Sequence, residues 1–98
     1  MSYADTFIGG TKTVAAVATP EKLVALSTPC FGVWIGARVT SESVASNTKA
    51  CFIGDSASQN IPITVANFEG VYIPINDASE VYIKVGVNGE GVCYRIFA

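Results

Sequence analysis

The stretch Phe31-Gly32-Val33-Trp34-Ile35-Gly36-Ala37-Arg38-Val39 decides the fold. Phe31, Val33, Ile35, Ala37 and Val39 fall on one side of an extended chain, and Gly32, Trp34, Gly36 and Arg38 on the other. Period-two alternation of this kind marks a strand in a sheet with one face buried. The second side is unusual, because Trp34 stands between two glycines. Either another backbone passes close by, or the indole lies over an open shelf.

Upstream, the stretch from Thr11 to Leu26 lacks helical periodicity and contains Pro20 and several β-branched residues. It reads as two short strands, Thr13–Ala18 and Lys22–Ser27, around a turn at Thr19-Pro20-Glu21. Residues 1–10, with Tyr3, Phe7 and Ile8 among small residues, read as an N-terminal arm that orders on a partner. Residues 11–98 then form a single domain.

Downstream, Thr40–Thr48 is a polar loop. Lys49–Ile53 is a strand with Cys51 and Ile53 inward, closed by the turn Gly54-Asp55-Ser56. Ile61–Val65 carries Pro62, which suits an edge or the first residues of a strand, and Val71–Ile75 carries Pro74, which argues for an edge or a bulge near that strand's end. After the turn Asn76-Asp77-Ala78-Ser79, Val81–Val85 alternates Val81, Ile83 and Val85 against Tyr82 and Lys84. Asn88-Gly89 is the strongest hairpin signal in the chain and predicts pairing of that strand with Val92–Phe97. There, Val92, Tyr94 and Ile96 oppose Cys93, Arg95 and Phe97. About eight short strands with turn signals every 8–12 residues predict an all-β protein, a single antiparallel β-sandwich, jelly-roll-like or a small barrel.

The 98 residues suffice for one thin core and leave little room for an enclosed substrate cavity. Half of them are hydrophobic and 14% are charged, against the ~25% charge of an ordinary soluble domain. The surface is therefore rich in Ser, Thr, Asn, Gly and exposed apolar groups, which suits association. Six basic residues face eight acidic ones, and no basic run exists. Neither nucleic-acid binding nor membrane-surface binding has its electrostatic footprint. The first ten residues lack the charged and apolar regions of a secretion signal, and no apolar run is long enough to span a bilayer. A reducing compartment is the expectation. Cys30, Cys51 and Cys93 then read as buried thiols acting as small hydrophobes.

There is no histidine, which removes the commonest general base, any His-containing triad and most zinc sites. No metal, cofactor or catalytic residue is expected. Gly86 to Gly91 is glycine-rich but lacks the strand-to-helix context of a nucleotide loop. Asp55 and Asp77 have the setting of Asx turns, and no EF-hand spacing links them to Glu80 as a calcium site. The aromatics say more. Trp34, Tyr72 and Tyr82 each lie opposite their strand's aliphatic set. Three aromatics on one outward face make a sugar-stacking platform or a protein interface; buried on both sides, they make a second core layer.

In order, the chain carries Thr28-Pro29-Cys30, Val33-x-Ile35-x-Ala37, Asn47-Thr48 and Ile53-Gly54-Asp55-Ser56. Val71-x-Ile73-Pro74-Ile75, Asp77-x-Ser79-x-Val81-Tyr82-Ile83 and Asn88-Gly89-Glu90-Gly91-Val92-x-Tyr94 follow. This pattern, over residues 22–97, resembles the small β-domain virion structural proteins of tailed bacteriophages. It consists of turn and strand signatures and speaks for fold before role. One departure is the turn Asn67-Phe68-Glu69-Gly70, where a Pro-Gly-Glu-like turn is usual; it sets Phe68 at a loop tip as an anchor. The resemblance implies a virion protein assembled in the host cytoplasm. Its most concrete form is a head decoration (cement) protein, binding the major capsid protein or other virion proteins, as a homo-oligomer. A tail, fibre or head-tail adaptor part and a carbohydrate-binding module are the alternatives. The expected contact residues are Tyr3, Phe7, Ile8, Trp34, Phe68, Tyr72 and Tyr82.

Overall fold

Strand β3, Gly32–Ala37, runs through the centre of one sheet, with Val33, Ile35 and Ala37 buried as their alternation predicts, whereas Phe31 precedes the strand and is exposed and Val39 lies outside the described residues. The computed structural model describes residues 7–37, 47–63 and 70–98. Among these the strands are β1 (Phe7–Thr13), β2 (Glu21–Lys22), β3, β4 (Cys51–Gly54), β5 (Gln59–Ile63), β6 (Val71–Ile73), β7 (Tyr82–Lys84) and β8 (Gly91–Phe97). A single 3₁₀ turn covers Ala78–Glu80.

The strands form two four-stranded antiparallel sheets, ordered β1-β8-β3-β6 and β2-β7-β4-β5. We call them sheet A and sheet B. The pairs β4–β5, β3–β6, β2–β7 and β1–β8 are nested along the chain. Such nesting describes one long antiparallel ribbon folded over on itself, closed within each sheet by β8–β3 and β7–β4. This is the strand order of a jelly roll, a double-sheet route to managing sheet edges.

The core is where the inner faces meet. Sheet A contributes Val33, Ile35, Ala37, Val92 and Ile96, and sheet B contributes Cys51, Ile53, Ile63 and Ile83. Val14, Leu23, Ala78, Val81 and Val85, all outside the strands, close the rims. Nearly every member is β-branched or small, which suits side chains standing off a pleated surface. Prolines behave as expected: Pro62 lies in edge strand β5, and edge strand β6 stops just before Pro74.

Three expectations are corrected. First, Phe7–Gly10 do not belong to an arm. They open β1 and pair with β8, Phe7 opposite Phe97 and Gly10 opposite Tyr94. Two glycines and no alternation hid this strand from the sequence; its partner supplies the order. Second, Thr13–Ala18 and Lys22–Ser27 shrink. Beyond β1, Val14 bonds Glu90 and Gly89 through its backbone, and the Val17 amide donates to Asn88 Oδ1 at 2.8 Å. Loop 86–90 thus holds the segment in place of a sheet partner. β2 is Glu21–Lys22, after which Leu23 donates to the Val81 carbonyl and turns into the core.

Third, Asn88-Gly89 is a turn but does not join a hairpin. β7 lies in sheet B and β8 in sheet A. Glu90 N donates to the Val87 carbonyl, Gly89 has φ 84°, and Asn88 has no positive φ. That is a type II turn. Two-residue hairpins need the primed types, whose twist matches paired strands. Here the chain crosses from one sheet to the other instead.

A polar latch secures this crossing. Asn47 and Gly91 exchange two hydrogen bonds, Nδ2 to the Gly91 carbonyl at 2.6 Å and Gly91 N to Oδ1 at 3.1 Å. Neighbouring Glu90 accepts from Thr48 N, Thr48 Oγ1 and Lys49 N. Asn47 and Glu90 are both buried, and their bonds tie the lead-in of β4 to the start of β8. Buried polar groups are tolerated when each is paired, as the Asn47–Gly91 exchange achieves.

Candidate functional site: the outer face of sheet A

Register fixes what lies outside. In β3, Gly32, Trp34 and Gly36 alternate with the buried Val33, Ile35 and Ala37. Their partners in β8 are Phe97, Arg95 and Cys93, and Tyr72 of β6 lies opposite Trp34. Thr11 and Gly9 of β1 continue the row beside Cys93 and Arg95.

The glycines make the face flat. A Cβ at Gly36 would stand 2.6 Å from Trp34 Cη2, and one at Gly70 would stand 2.6 Å from Trp34 Cε2 and Cζ2. The indole therefore lies along the sheet, on a shelf of two glycines. The Tyr72 ring leans across Gly32, whose Cβ would overlap its hydroxyl, and meets the Phe97 ring edge-on at 5.9 Å and 60°. Such edge contacts satisfy the aromatic quadrupoles. Tyr72 remains 52% exposed, and Phe31, at the mouth of β3, 48%. Arg95 folds back over Gly9, its Nη1 donating to the Tyr94 carbonyl at 2.9 Å. It borders a shallow depression lined by Gly9, Gly10, Thr11 and Cys93.

The outer face of sheet B has another character. Lys22, Tyr82 and Gly54 stand in one row across β2, β7 and β4, with Lys84, Phe52 and Pro62 in the next. An open cleft of about 360 Å³ forms over Tyr82, lined by Lys22, Asp55, Ser56, Ser79 and Glu80. Sheet A thus clusters Trp34, Tyr72 and Phe97 on its outer face, whereas sheet B mixes Lys22 and Lys84 with Tyr82, Phe52 and Pro62.

The expected contact residues divide accordingly. Trp34 and Tyr72 are neighbours and share a face with Phe97. Tyr82 is on the opposite face, so the three-aromatic platform does not form. Ile8 is 41% exposed on edge strand β1, and Phe7 pairs through its backbone with Phe97. Tyr3 and Phe68 lie outside the described residues, as do 40–46 of the polar loop. Phe97, which the sequence does not single out, also lies with Trp34 and Tyr72 on the outer face of sheet A. Its alternation with Cys93 and Arg95 put it on their side, but only the pairing with Gly32 places it beside Tyr72.

The Asx readings hold. Asp55 Oδ1 accepts from Ala57 N and Ser58 N at 2.9 Å each. Asp77 accepts from Ser27 Oγ, Thr28 N, Ser79 N and Ser79 Oγ. These four donors, Ser27 first, hold the Asp77 carboxyl far below the usual carboxylate range. All three cysteines are free thiols, but the expected burial is found only at Cys51; Cys30 and Cys93 are half-buried. Desolvation is the leading effect on Cys30 and raises its thiol pKa. Among the described residues no three His, Cys, Asp or Glu side chains group as metal ligands, and no helix is long and apolar enough to cross a membrane.

No family model matches the chain, and no curated protein or solved structure is significantly similar to it. Fold and surface therefore carry the functional argument. They define a small jelly-roll β-sandwich with Trp34, Tyr72 and Phe97 clustered on the outer face of sheet A.

Proposed function

We propose that this chain is a phage virion structural protein, a decoration (cement) protein that docks on the assembled head through the outer face of sheet A. The single observation behind this reading is the asymmetry of the two outer faces. Trp34 and Tyr72 lie over glycines on one side, with Phe97 edge-on to Tyr72 and Arg95 at their margin, while the other carries Lys22, Lys84, Asp55 and Glu80 around Tyr82 and Phe52. Clustered aromatics with an arginine are the composition of binding hot spots, because large rigid rings release much water at little entropic cost. The molecule measures 37 × 31 × 20 Å, so a face of the slab suffices for the ~800 Å² per partner of a standard interface. The jelly roll recurs in capsid proteins, an analogy of fold that raises this reading above others.

The mechanism is binding alone. A protein that binds the folded, assembled shell stabilises it by mass action. Many identical copies at subunit junctions multiply a modest contact. The major capsid protein is the expected partner, with a second copy of the chain as neighbour. Placement on a tail, fibre or adaptor uses the same face and differs only in location.

The test is addition of purified protein to expanded heads lacking it. Wild type should co-sediment with the shells and raise their melting temperature. Trp34→Ala with Tyr72→Asp should keep the fold, checked by circular dichroism, and lose both effects. Absence of binding by wild type to heads overturns the decoration reading. Labelled virions viewed by microscopy separate head from tail.

A further inference from the structure

From the cleft on the outer face of sheet B, we infer a second, independent binding site that takes a neutral saccharide. Three separate pieces of chain build it. β2 supplies Lys22, the turn after β4 supplies Asp55 and Ser56, and the 3₁₀ turn before β7 supplies Ser79 and Glu80. Tyr82 completes its lining.

Register explains why the ring is available. Tyr82 lies between Lys22 on one strand and Gly54 on the other. Gly54 has no side chain to cover the ring, and it is held as glycine because a Cβ there would overlap the Ser58 carbonyl. The turn that begins at Gly54 adds Asp55 and Ser56 to the lining of the same cleft. Asp55 Oδ1 is committed to Ala57 N and Ser58 N, which fixes the carboxylate's orientation. Asp77 anchors the other wall by accepting from Ser79 N and Oγ. Both walls are therefore preorganised by their own Asx turns, which limits the ordering cost of binding.

The ligand class follows by elimination. The volume of about 360 Å³ lies at the low end of the ~300–1,000 Å³ of small-molecule sites. The rim is polar, so an apolar ligand is not matched. Two carboxylates against one lysine disfavour an anion. A divalent cation wants several oxygens, and half of Asp55 is already bonded to backbone. What remains is a neutral molecule with an apolar face and many hydroxyls. Each sugar hydroxyl donates to Asp55 Oδ2 or Glu80 and accepts from Lys22 Nζ, while the ring's C–H face covers Tyr82. The site is on the face opposite Trp34 and Tyr72, so a chain docked through sheet A leaves it open to solvent.

The test is a titration of ¹⁵N-labelled full-length chain with glucose, galactose and N-acetylglucosamine, followed by a printed array of their oligosaccharides. Saturable shifts confined to residues 22, 54–58 and 79–82 are expected for at least one sugar. Tyr82→Ala should weaken that binding at least tenfold. Glu80→Gln and Lys22→Met, exposed substitutions that leave the core untouched, should weaken it several-fold and cover the case in which Tyr82→Ala does not fold. A flat response to all sugars and to the array overturns the site. So do shifts centred on Trp34 and Tyr72, or equal shifts with calcium chloride alone, which would make it a cation site.

Discussion

Gly91 stands where β8 begins, and its Cα presses against β1. A Cβ there would overlap the Lys12 carbonyl, a backbone atom with nowhere to retreat. Gly91→Ala should therefore cost about 1–3 kcal/mol in urea denaturation, as overpacked sites do. Gly89 has φ 84° and open space around its Cβ position. Its alanine variant bears only the left-handed penalty of ~1–2 kcal/mol. The two glycines are two residues apart and are required for different reasons. Asp77 offers a test by pH. Its folded pKa is depressed by the Ser27, Thr28 and Ser79 donors. Its contribution is thus fully present above the ordinary aspartate pKa of about 3.9 and is lost as pH falls from there toward the folded value. Thermal melts at pH 7 and pH 3 should show wild type losing more stability on acidification than Asp77→Asn does. The cysteines rank by environment. A thiol reagent should modify Cys93, on the outer face of sheet A, before Cys30, whose thiol is desolvated and partly engaged by the Ile75 carbonyl. Cys51 should react only on unfolding, read by intact-mass spectrometry.

At the scale of elements, two of the links between the sheets differ in burial, and burial separates their worth. Lys12 of β1 and Glu21 of β2 form an ion pair at 2.9 Å, with Ala15 N also donating to Glu21. Both side chains are partly exposed, so Lys12→Met should change stability by less than about 1 kcal/mol, and less still in high salt. The Asn47–Gly91 exchange is buried. Asn47→Ala strands the Gly91 backbone donor and leaves its carbonyl only the weak Cys51 thiol donor, and a loss of about 1–3 kcal/mol is expected from denaturant midpoints. The elements also show why parts of the chain were hard to read. β3, β4 and β8 alternate cleanly because each lies within a sheet and has one face in the core. β1 and β2 are edge strands and gave no such signal; what makes them strands is β8 and β7 beside them.

At the scale of the molecule, the first strand pairs with the last, and the nested ribbon needs contacts across nearly the whole chain. Refolding should accordingly lie in the milliseconds-to-seconds range of non-local β topologies, measured by stopped-flow Trp34 fluorescence. Alternation, turn residues and placed prolines were enough to determine an all-β sandwich, its main inward-facing residues and its edges at Pro62 and Pro74, because burial on a pleated sheet imposes period two locally. The same alternation set Trp34, Tyr72 and Tyr82 apart from the core. Tertiary structure alone decided that Trp34, Tyr72 and Phe97 share one face while Tyr82 lines a cleft on the other. It also decided that Asn88-Gly89 carries the chain between sheets. The reason is that alternation gives each strand a side but not a sheet; the sheet is chosen by pairing between residues far apart in sequence.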